Sequence, residues 1–220
     1  MDSTALITSF VTIFVIIDPI GLAPLFIALT RGSDPAHRRA VALRACLIGA
    51  AILALFGLFG DAVLRFTGIS MPAFRIAGGI LLFLTAMDML FERRSARRKG
   101  QASDADDPSV FPLATPLIAG PGAITSMILL TDKASGLSAQ IAIYGVMLSV
   151  LMLVLVFFMA SSVIEKLLGS VGVNVVTRLL GMLLAALSVQ FVLDGLHGFG
   201  LAAGVGPGAG PGVGPGVGSG

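Results

Sequence analysis

The sequence has few charged residues and few side chains that could bind metal or form disulfides. Only 12% of its 220 residues are Asp, Glu, Lys or Arg, whereas soluble domains carry about a quarter. A single cysteine, Cys46, excludes an internal disulfide and a cysteine-based metal cage. The two histidines, His37 and His197, are too far apart for a convincing metal site. We therefore expect neither a metal nor a cofactor.

Most residues of the chain are apolar, and they form long runs. The chain is 56% hydrophobic with a mean hydropathy of +1.00, which is typical of a protein whose partner is the lipid bilayer. The net charge of +2 does not indicate nucleic acid, because the basic residues cluster between apolar runs. The segment Met1-Asp2-Ser3 lacks the positive charge that begins a cleavable signal, so we expect the first apolar run to be retained.

Six apolar stretches reach the roughly 20 residues that a membrane-spanning helix needs. They cover approximately residues 4–30, 40–60, 72–91, 110–131, 139–162 and 174–196. The polar stretch 92–109 is predicted to be a cytoplasmic linker, and the Gly/Pro-rich stretch 198–220 is predicted to be a flexible tail. The predicted fold is an all-α membrane protein with six transmembrane helices.

Two proline pairs interrupt the first and fourth stretches. They occur in Asp18-Pro19-Ile20-Gly21-Leu22-Ala23-Pro24 and in Thr115-Pro116-Leu117-Ile118-Ala119-Gly120-Pro121-Gly122. Proline has no N–H and cannot continue a helical hydrogen-bond ladder, and lipid cannot satisfy the backbone groups that are released. Two broken apolar segments in matching halves of a chain are typical of a transport site. We therefore predict that the first and fourth helices are broken at these motifs.

The two halves of the chain share the proline spacing and a later Arg-x-x-Gly pattern. The corresponding residues are Pro19 with Pro116, Pro24 with Pro121, Arg75 with Arg178, and Gly78 with Gly181. These matches predict two three-helix repeats, residues 1–91 and 110–197, which must be inverted because three crossings reverse the direction of the chain. Eleven of the 14 Lys and Arg residues then fall on one side, which predicts periplasmic termini if the broken segments span the membrane rather than re-enter it.

The interrupted helices could bind a zwitterion. An Asp before Pro is a helix-start signal, so Asp18 is predicted to start a half-helix at Pro19, and Thr115 to cap a turn at Pro116. A carboxylate and freed carbonyls attract an ammonium, and free N–H groups at a helix start attract a carboxylate. The predicted substrate-binding residues are Asp18, Pro19, Gly21, Pro24, Gly120, Pro121, Gly122 and Thr125.

Each of these assignments has a structural alternative. Asp18 could be only a helix cap, although a charge at membrane depth costs about 2.5–3.5 kcal/mol. Thr125 and Ser126 could line a polar path or simply pack between helices. A gating or structural role is predicted for Arg75, Arg178, Gly78 and Gly181. The arginines could instead only reach the head groups, and the glycines could only mark close helix contacts.

Both motifs resemble the signatures of a known family. Residues 17–26 with Leu29-Thr30, and residues 116–124, are similar to the two signatures of the MarC family of bacterial integral membrane proteins, and residues 75–79 also fit. The resemblance covers roughly residues 5–197 and not the tail. Leu22 stands where members often carry Asn, so a polar role there is lost.

The resemblance implies a multi-pass protein of the bacterial inner (plasma) membrane that is related to the LysE exporter superfamily. Some members are described as small neutral amino acid transporters, and most have no assigned substrate. We therefore expect a secondary transporter of a small neutral amino acid or similar solute. Coupling to H⁺ or Na⁺ and a homo-oligomeric state stay open.

Three other functions were weighed against transport of a neutral solute. A metal-ion exporter would bind a hard cation through Asp18 and freed carbonyls. A non-transporting assembly partner would join a larger membrane complex. An enzyme is not expected, because the sequence has no membrane-depth nucleophile–base pair and no second acid to oppose Asp18.

Overall fold

The computed structural model describes residues 3–30, 32–91 and 107–200, and the regular elements in these ranges are all helical. The helices are α1 (Ser3–Ile17), α2 (Pro19–Leu29), α3 (Pro35–Thr67), α4 (Met71–Leu90), α5 (Ser109–Ile118), α6 (Pro121–Lys133), α7 (Leu137–Met159) and α8 (Ser161–Gly198). The predicted all-α class is confirmed. Most of the predicted linker and tail lies outside the described residues.

Within the described ranges, five helical segments are long and apolar enough to cross a membrane. They are Ser3–Leu29, Pro35–Thr67, Met71–Leu90, Leu137–Met159 and Val171–Gly198. A sixth crossing is reached if α5 and α6, which are bent by 54° at their break, are counted as one span. The six predicted stretches therefore correspond to helices, and the described residues provide five or six crossings by length and composition.

Local signals explain where several helices begin and end. Asp18, Asp34 and Ser70 each accept a hydrogen bond from the backbone N–H three residues later, and each precedes a first turn that contains proline. Gly68 ends α3 in the left-handed conformation (φ 72°) and turns the chain into α4. Gly169 (φ 60°) interrupts α8, so that a short segment precedes the long apolar one.

Contacts between helices define the two ends of the bundle. α4 is antiparallel to α6, since Gly78 packs on Thr125 while Arg75 bonds to Asp132 at the end of α6. We call this end the Arg75 face. At the other end, which we call the Arg38 face, Arg38 near the start of α3 donates to Ser161 Oγ at 3.2 Å.

The two interrupted segments run in opposite directions between these faces. Phe26 stacks on Phe158, with ring centroids 4.5 Å apart, and the Arg38 guanidinium lies 5.7 Å from the Phe26 centroid, so α2 ends at the Arg38 face. The pair α5–α6 starts at that face, because Asp107 Oδ2, just before α5, lies 3.8 Å from Arg44 Nη1 of α3. The pair ends at the Arg75 face, where Asp132 of α6 meets Arg75.

Asp107 anchors the start of α5. Its Oδ1 accepts hydrogen bonds from the Ser109 hydroxyl at 2.6 Å and from the Ser109 N–H at 2.9 Å. These bonds, with a smaller contribution from the Arg44 guanidinium, hold the pKa of the partly exposed Asp107 carboxyl below its usual value.

Candidate functional site

The first motif surrounds Asp18, which is completely buried between α1 and α2. Its backbone is left-handed (φ 55°, ψ 66°), a conformation that is uncommon outside glycine. Pro19 has no N–H to give to the carbonyl of Val15. The N–H of Gly21 bonds to Asp18 Oδ1 at 3.0 Å, where a continuous helix would direct it to a carbonyl one turn back. The carboxylate thus caps the start of α2.

Gly21 leaves the space that this carboxylate occupies. A β-carbon at Gly21 would overlap Asp18 Oδ2. Pro19 is buried, whereas Gly21 and Pro24 are half-buried. Pro24 lies further along α2, where its missing N–H leaves the carbonyl of Ile20 without its usual helical donor. Asp18, Pro19 and Gly21 therefore form one compact turn, and Pro24 extends the irregularity into the next turn.

The second motif has a different geometry. α5 is wound with hydrogen bonds between residues five apart, such as Ala119 N–H to the Ala114 carbonyl at 2.9 Å. Thr115 has an extended backbone (φ −128°, ψ 123°). Thr115 does not start the regular helix: α6 begins only at Pro121, with Gly120 as its N-cap residue.

The first turn of α6 has no side-chain cap, and it is buried at Gly122 and Ala123. Its N-cap residue is Gly120, where a β-carbon would overlap the Pro116 carbonyl oxygen. Pro121 is exposed and has no N–H, whereas Gly122 and Ala123 are buried. The first N–H groups of a helix lack intrahelical partners, so those of Gly122 and Ala123 are buried donors at the positive end of the helix dipole.

The structure brings the two motifs to the same level of the bundle. A β-carbon on Gly122 would lie 3.4 Å from Ile16 Cγ2 and 2.8 Å from Leu82 Cδ2. Ile16 is two residues before Asp18, Gly122 is two residues after Gly120, and Leu82 lies near the middle of α4. Both interruptions therefore lie about halfway between the Arg75 face and the Arg38 face, next to α4.

The remaining predicted residues lie in helix contacts or on the surface. Thr125 is buried, and its methyl group packs against Gly78 of α4. Gly181 of α8 packs against Met89 of α4, with 3.0 Å between its would-be β-carbon and Met89 Cβ. Arg178 lies on an exposed part of α8. These contacts favour a role for Gly78 and Gly181 in close helix packing.

An ionic cluster joins α4, α6 and α8 at the Arg75 face. Arg75 Nη2 donates to Asp132 Oδ2 at 3.0 Å, Lys133 Nζ lies 3.2 Å from Asp194 Oδ2, and Gln190 Nε2 donates to Asp194 Oδ1 at 2.7 Å. Sequence analysis identified Arg75 but not these partners. In the sequence, these partners are visible only as acidic and basic residues near the ends of different apolar stretches. Which of them form pairs depends on the register in which the helices pack.

Exchanging the charges of Arg75 and Asp132 tests this cluster. Arg75→Asp alone places two carboxylates together and is expected to lower the unfolding temperature in detergent. The double variant Arg75→Asp/Asp132→Arg should recover most of the loss. The side chains are 22% and 28% exposed, so the coupling energy is expected to be about 1 kcal/mol. The exposed pair Asp61–Arg65 is the control, for which reversal should cost less. A double variant as unstable as the single one would contradict the pairing.

Several apolar segments, with the charged side chains of the described residues other than Asp18 lying in loops or toward the bundle ends, define a multi-pass helical membrane protein. The family model described as MarC family integral membrane protein matches residues 3–199. The chain therefore belongs to the MarC family, as its motifs predicted.

Its relatives come from archaea and bacteria. The UPF0056 membrane protein MJ1677 of Methanocaldococcus jannaschii is 38% identical over 203 residues, which cover 90% of this chain and 98% of that protein. YvbG of Bacillus subtilis is 35% identical over 195 residues (86% and 92%), and YhcE of Escherichia coli K12 is 34% identical over 197 residues (86% and 90%). The names of both also read UPF0056 membrane protein. No solved structure matches this chain. The bacterial relatives are consistent with the inner membrane.

Proposed function

We propose that the protein is a secondary transporter of small neutral amino acids or similar zwitterionic solutes, with its site between the interrupted helices. One observation carries the proposal: the buried carboxylate of Asp18 lies at the same level as the uncapped first turn of α6, which is buried at Gly122 and Ala123. A carboxylate suits the ammonium end of an amino acid, and free N–H groups suit its carboxylate end. A buried charge at membrane depth is costly and is mostly found where it has a function.

The directions of the helices support an inverted repeat around this site. α1–α2 and α5–α6 run in opposite directions, and α4 and α8, which carry the matching Arg-x-x-Gly patterns, are antiparallel. In such transporters one repeat rocks against the other around a site near the midplane. With the uneven distribution of Lys and Arg, this arrangement favours a plasma-membrane protein whose two termini are both periplasmic.

Transport by purified protein in liposomes tests the proposal. Liposomes loaded with unlabelled L-alanine or glycine are expected to accumulate the labelled amino acid by counterflow, whereas protein-free liposomes do not. Excess L-arginine, which carries an extra positive charge, should compete poorly. A Na⁺ gradient and a pH gradient, applied separately, identify the coupling ion. If folded protein moves no small neutral amino acid, the proposed function is wrong, and flux of a divalent cation would support the exporter alternative.

A further inference from the structure

Phe26 of α2 and Phe158 of α7 form a buried aromatic pair. Their rings are nearly parallel, with 7° between the ring planes and 4.5 Å between the centroids. Within the described ranges, they are the two phenylalanines that are fully buried, whereas Phe56, Phe59 and Phe66 of α3 are exposed. Stacking of two aromatic rings is favourable beyond the area that it buries, so this pair holds α2 against α7.

The pair lies between Asp18 and the Arg38 face. α2 begins next to Asp18, at the level of both interruptions, and ends at this face. Phe26 comes eight residues after Asp18, which corresponds to roughly 12 Å along the helix. Leu22, halfway between them, is also fully buried, and residues four apart share a helix face. The buried side of α2 therefore leads from Asp18 past Leu22 to the stacked rings.

Arg38 of α3 contacts both sides of this pair. Its guanidinium carbon lies 5.7 Å from the Phe26 ring centroid, within the range of a cation–π contact. Its Nη2 also donates a hydrogen bond at 3.2 Å to the Oγ of Ser161, a fully buried residue three positions after Phe158. One side chain therefore binds α2 through an aromatic ring and the chain beyond α7 through a hydroxyl group.

These contacts join the two predicted repeats. Phe26 and Arg38 belong to residues 1–91, whereas Phe158 and Ser161 belong to residues 110–197. In transporters built from inverted repeats, one repeat moves against the other around the site. Such a movement separates the rings and releases Arg38 from Ser161, because both contacts cross from one repeat to the other.

α2 has the irregular geometry that such a movement needs. Asp18 at its start has a left-handed backbone (φ 55°), and Pro24 lies inside the helix, two residues before Phe26. Since proline has no N–H, the helical hydrogen bond to the Ile20 carbonyl is missing at that turn. Proline is a common cause of helix kinks for this reason. Phe26 can therefore move away from Phe158 by a bend at Pro24.

We propose that Phe26, Phe158 and Arg38 form the gate between the candidate site and the Arg38 face. In the closed gate, the stacked rings fill the bundle interior between the site and this face. The gate opens when Phe26 leaves Phe158 and Arg38 releases its contacts. The opposite face is held together by different chemistry, the ionic cluster around Arg75. This inference rests on the proposed function only in that a solute must pass the gate, whatever the solute is.

Labelling of a cysteine placed behind the rings tests the gate without any solute. In the full chain with Cys46→Ala, which removes its one cysteine, Leu22→Cys places a thiol between Asp18 and the aromatic pair. The protein is held in lipid nanodiscs, which leave both faces accessible, and a small cationic methanethiosulfonate is added. Arg38→Gln keeps both rings but removes the cation–π contact, so labelling of Leu22→Cys should become about 3- to 30-fold faster.

Two controls separate a gate from charge effects and from general loosening. Arg39→Gln removes the same charge from the exposed next position of α3 and should leave the labelling rate unchanged. Ile143→Cys, used in place of Leu22→Cys, puts the thiol at a fully buried position of α7, fifteen residues before Phe158, and should stay unlabelled. The gate is wrong if Arg38→Gln leaves the labelling of Leu22→Cys unchanged, if Arg39→Gln accelerates it equally, or if Ile143→Cys responds as well.

A reversible lock relates the gate to transport. The variant Phe26→Cys/Phe158→Cys, also with Cys46→Ala, is bridged in place of the stacked rings by a short bis-methanethiosulfonate and released by a reductant. Counterflow of L-alanine is expected to stop on bridging and to return on release. Counterflow at the unbridged rate by fully bridged protein would show that the two positions are static packing, and the gate would be wrong.

The gate and the proposed function fail separately. If Arg38→Gln accelerates labelling as expected but folded protein moves no small neutral amino acid, the gate stands and the proposed function is wrong. If the protein transports L-alanine but labelling does not depend on Arg38, or bridging does not stop the flux, the proposed function stands and the gate is wrong.

Discussion

Asp18→Asn is expected to reduce amino acid counterflow by about 100-fold or more, since truncating a buried charged contact costs about 2–5 kcal/mol. The protein should nevertheless fold. An Asn side chain keeps an oxygen that can accept the Gly21 N–H, which Asp18 Oδ1 accepts at 3.0 Å. A neutral amide is also less costly to bury than a carboxylate. The unfolding temperature in detergent should therefore stay the same or rise while transport is lost.

Asp34→Asn is the matched control for this substitution. Asp34 also precedes a proline and caps its helix, with Oδ1 accepting the His37 N–H at 2.7 Å, but it is exposed at the start of α3. Its replacement removes the same charge from the same type of cap hydrogen bond, although the Asp34 backbone is extended where that of Asp18 is left-handed, so transport should be unchanged. Normal transport by Asp18→Asn would mean that Asp18 is only a cap, the alternative that the sequence left open.

The contrast between the two interruptions shows what local sequence can and cannot predict. Asp-Pro is a strong local start signal, and Asp18 does cap α2 at Pro19. The second motif contains two positions at which a helix could start, because Pro follows both Thr115 and Gly120. The regular helix α6 begins at the second of them, at Pro121. The second start is accompanied by a packing contact that local sequence does not predict: Ile118, just before the turn, fills the space above Gly49 of α3.

Helix ends were less predictable than apolar cores. The stretch 72–91 matches α4 closely, but the predicted 40–60 covers only the middle of α3, which runs from Pro35 to Thr67. Hydropathy locates the part of a helix that suits hydrocarbon, whereas the Asp34 cap and the left-handed Gly68 determine where this helix begins and ends.

The partners of Arg75 and the environment of Ser126 could not be predicted from one sequence. Arg75 meets Asp132 only because α4 and α6 pack antiparallel in one particular register, and periodicity along either helix carries no information on that register. Whether a buried hydroxyl bonds back to its own helix, as in Thr131, or stays unpaired, as in Ser126, likewise depends on the surrounding side chains.

Gly79→Ala is expected to destabilise the protein by about 1–3 kcal/mol, the usual cost of overpacking a close contact. A β-carbon at Gly79 would lie 2.7 Å from the Ser188 carbonyl oxygen and 2.7 Å from Val192 Cγ2. The oxygen belongs to the backbone of α8 and cannot move aside by a rotamer change, so α4 and α8 must separate. Thermal unfolding in detergent measures the loss.

Gly145→Ala is the control, and its effect should have the opposite sign. Gly145 lies within α7 with no atom within 4 Å of its would-be β-carbon, so alanine should stabilise the helix by about 0.5–1 kcal/mol. Equal destabilisation by both variants would mean that helix propensity or detergent, rather than the α4–α8 contact, controls the outcome.

Gly79→Ala should also impair transport, because α4 lies between α8 and the candidate site. Gly78 and Gly79 are neighbours on α4 that face different helices. Gly78 packs against Thr125 of α6, and Gly79 packs against the Ser188 backbone of α8. Displacement of α4 by the new methyl group would therefore shift Leu82 against Gly122, at the buried start of α6. Counterflow per folded molecule should fall for Gly79→Ala and stay at the wild-type level for Gly145→Ala. Full transport by folded Gly79→Ala would show that the position of α4 does not control the start of α6.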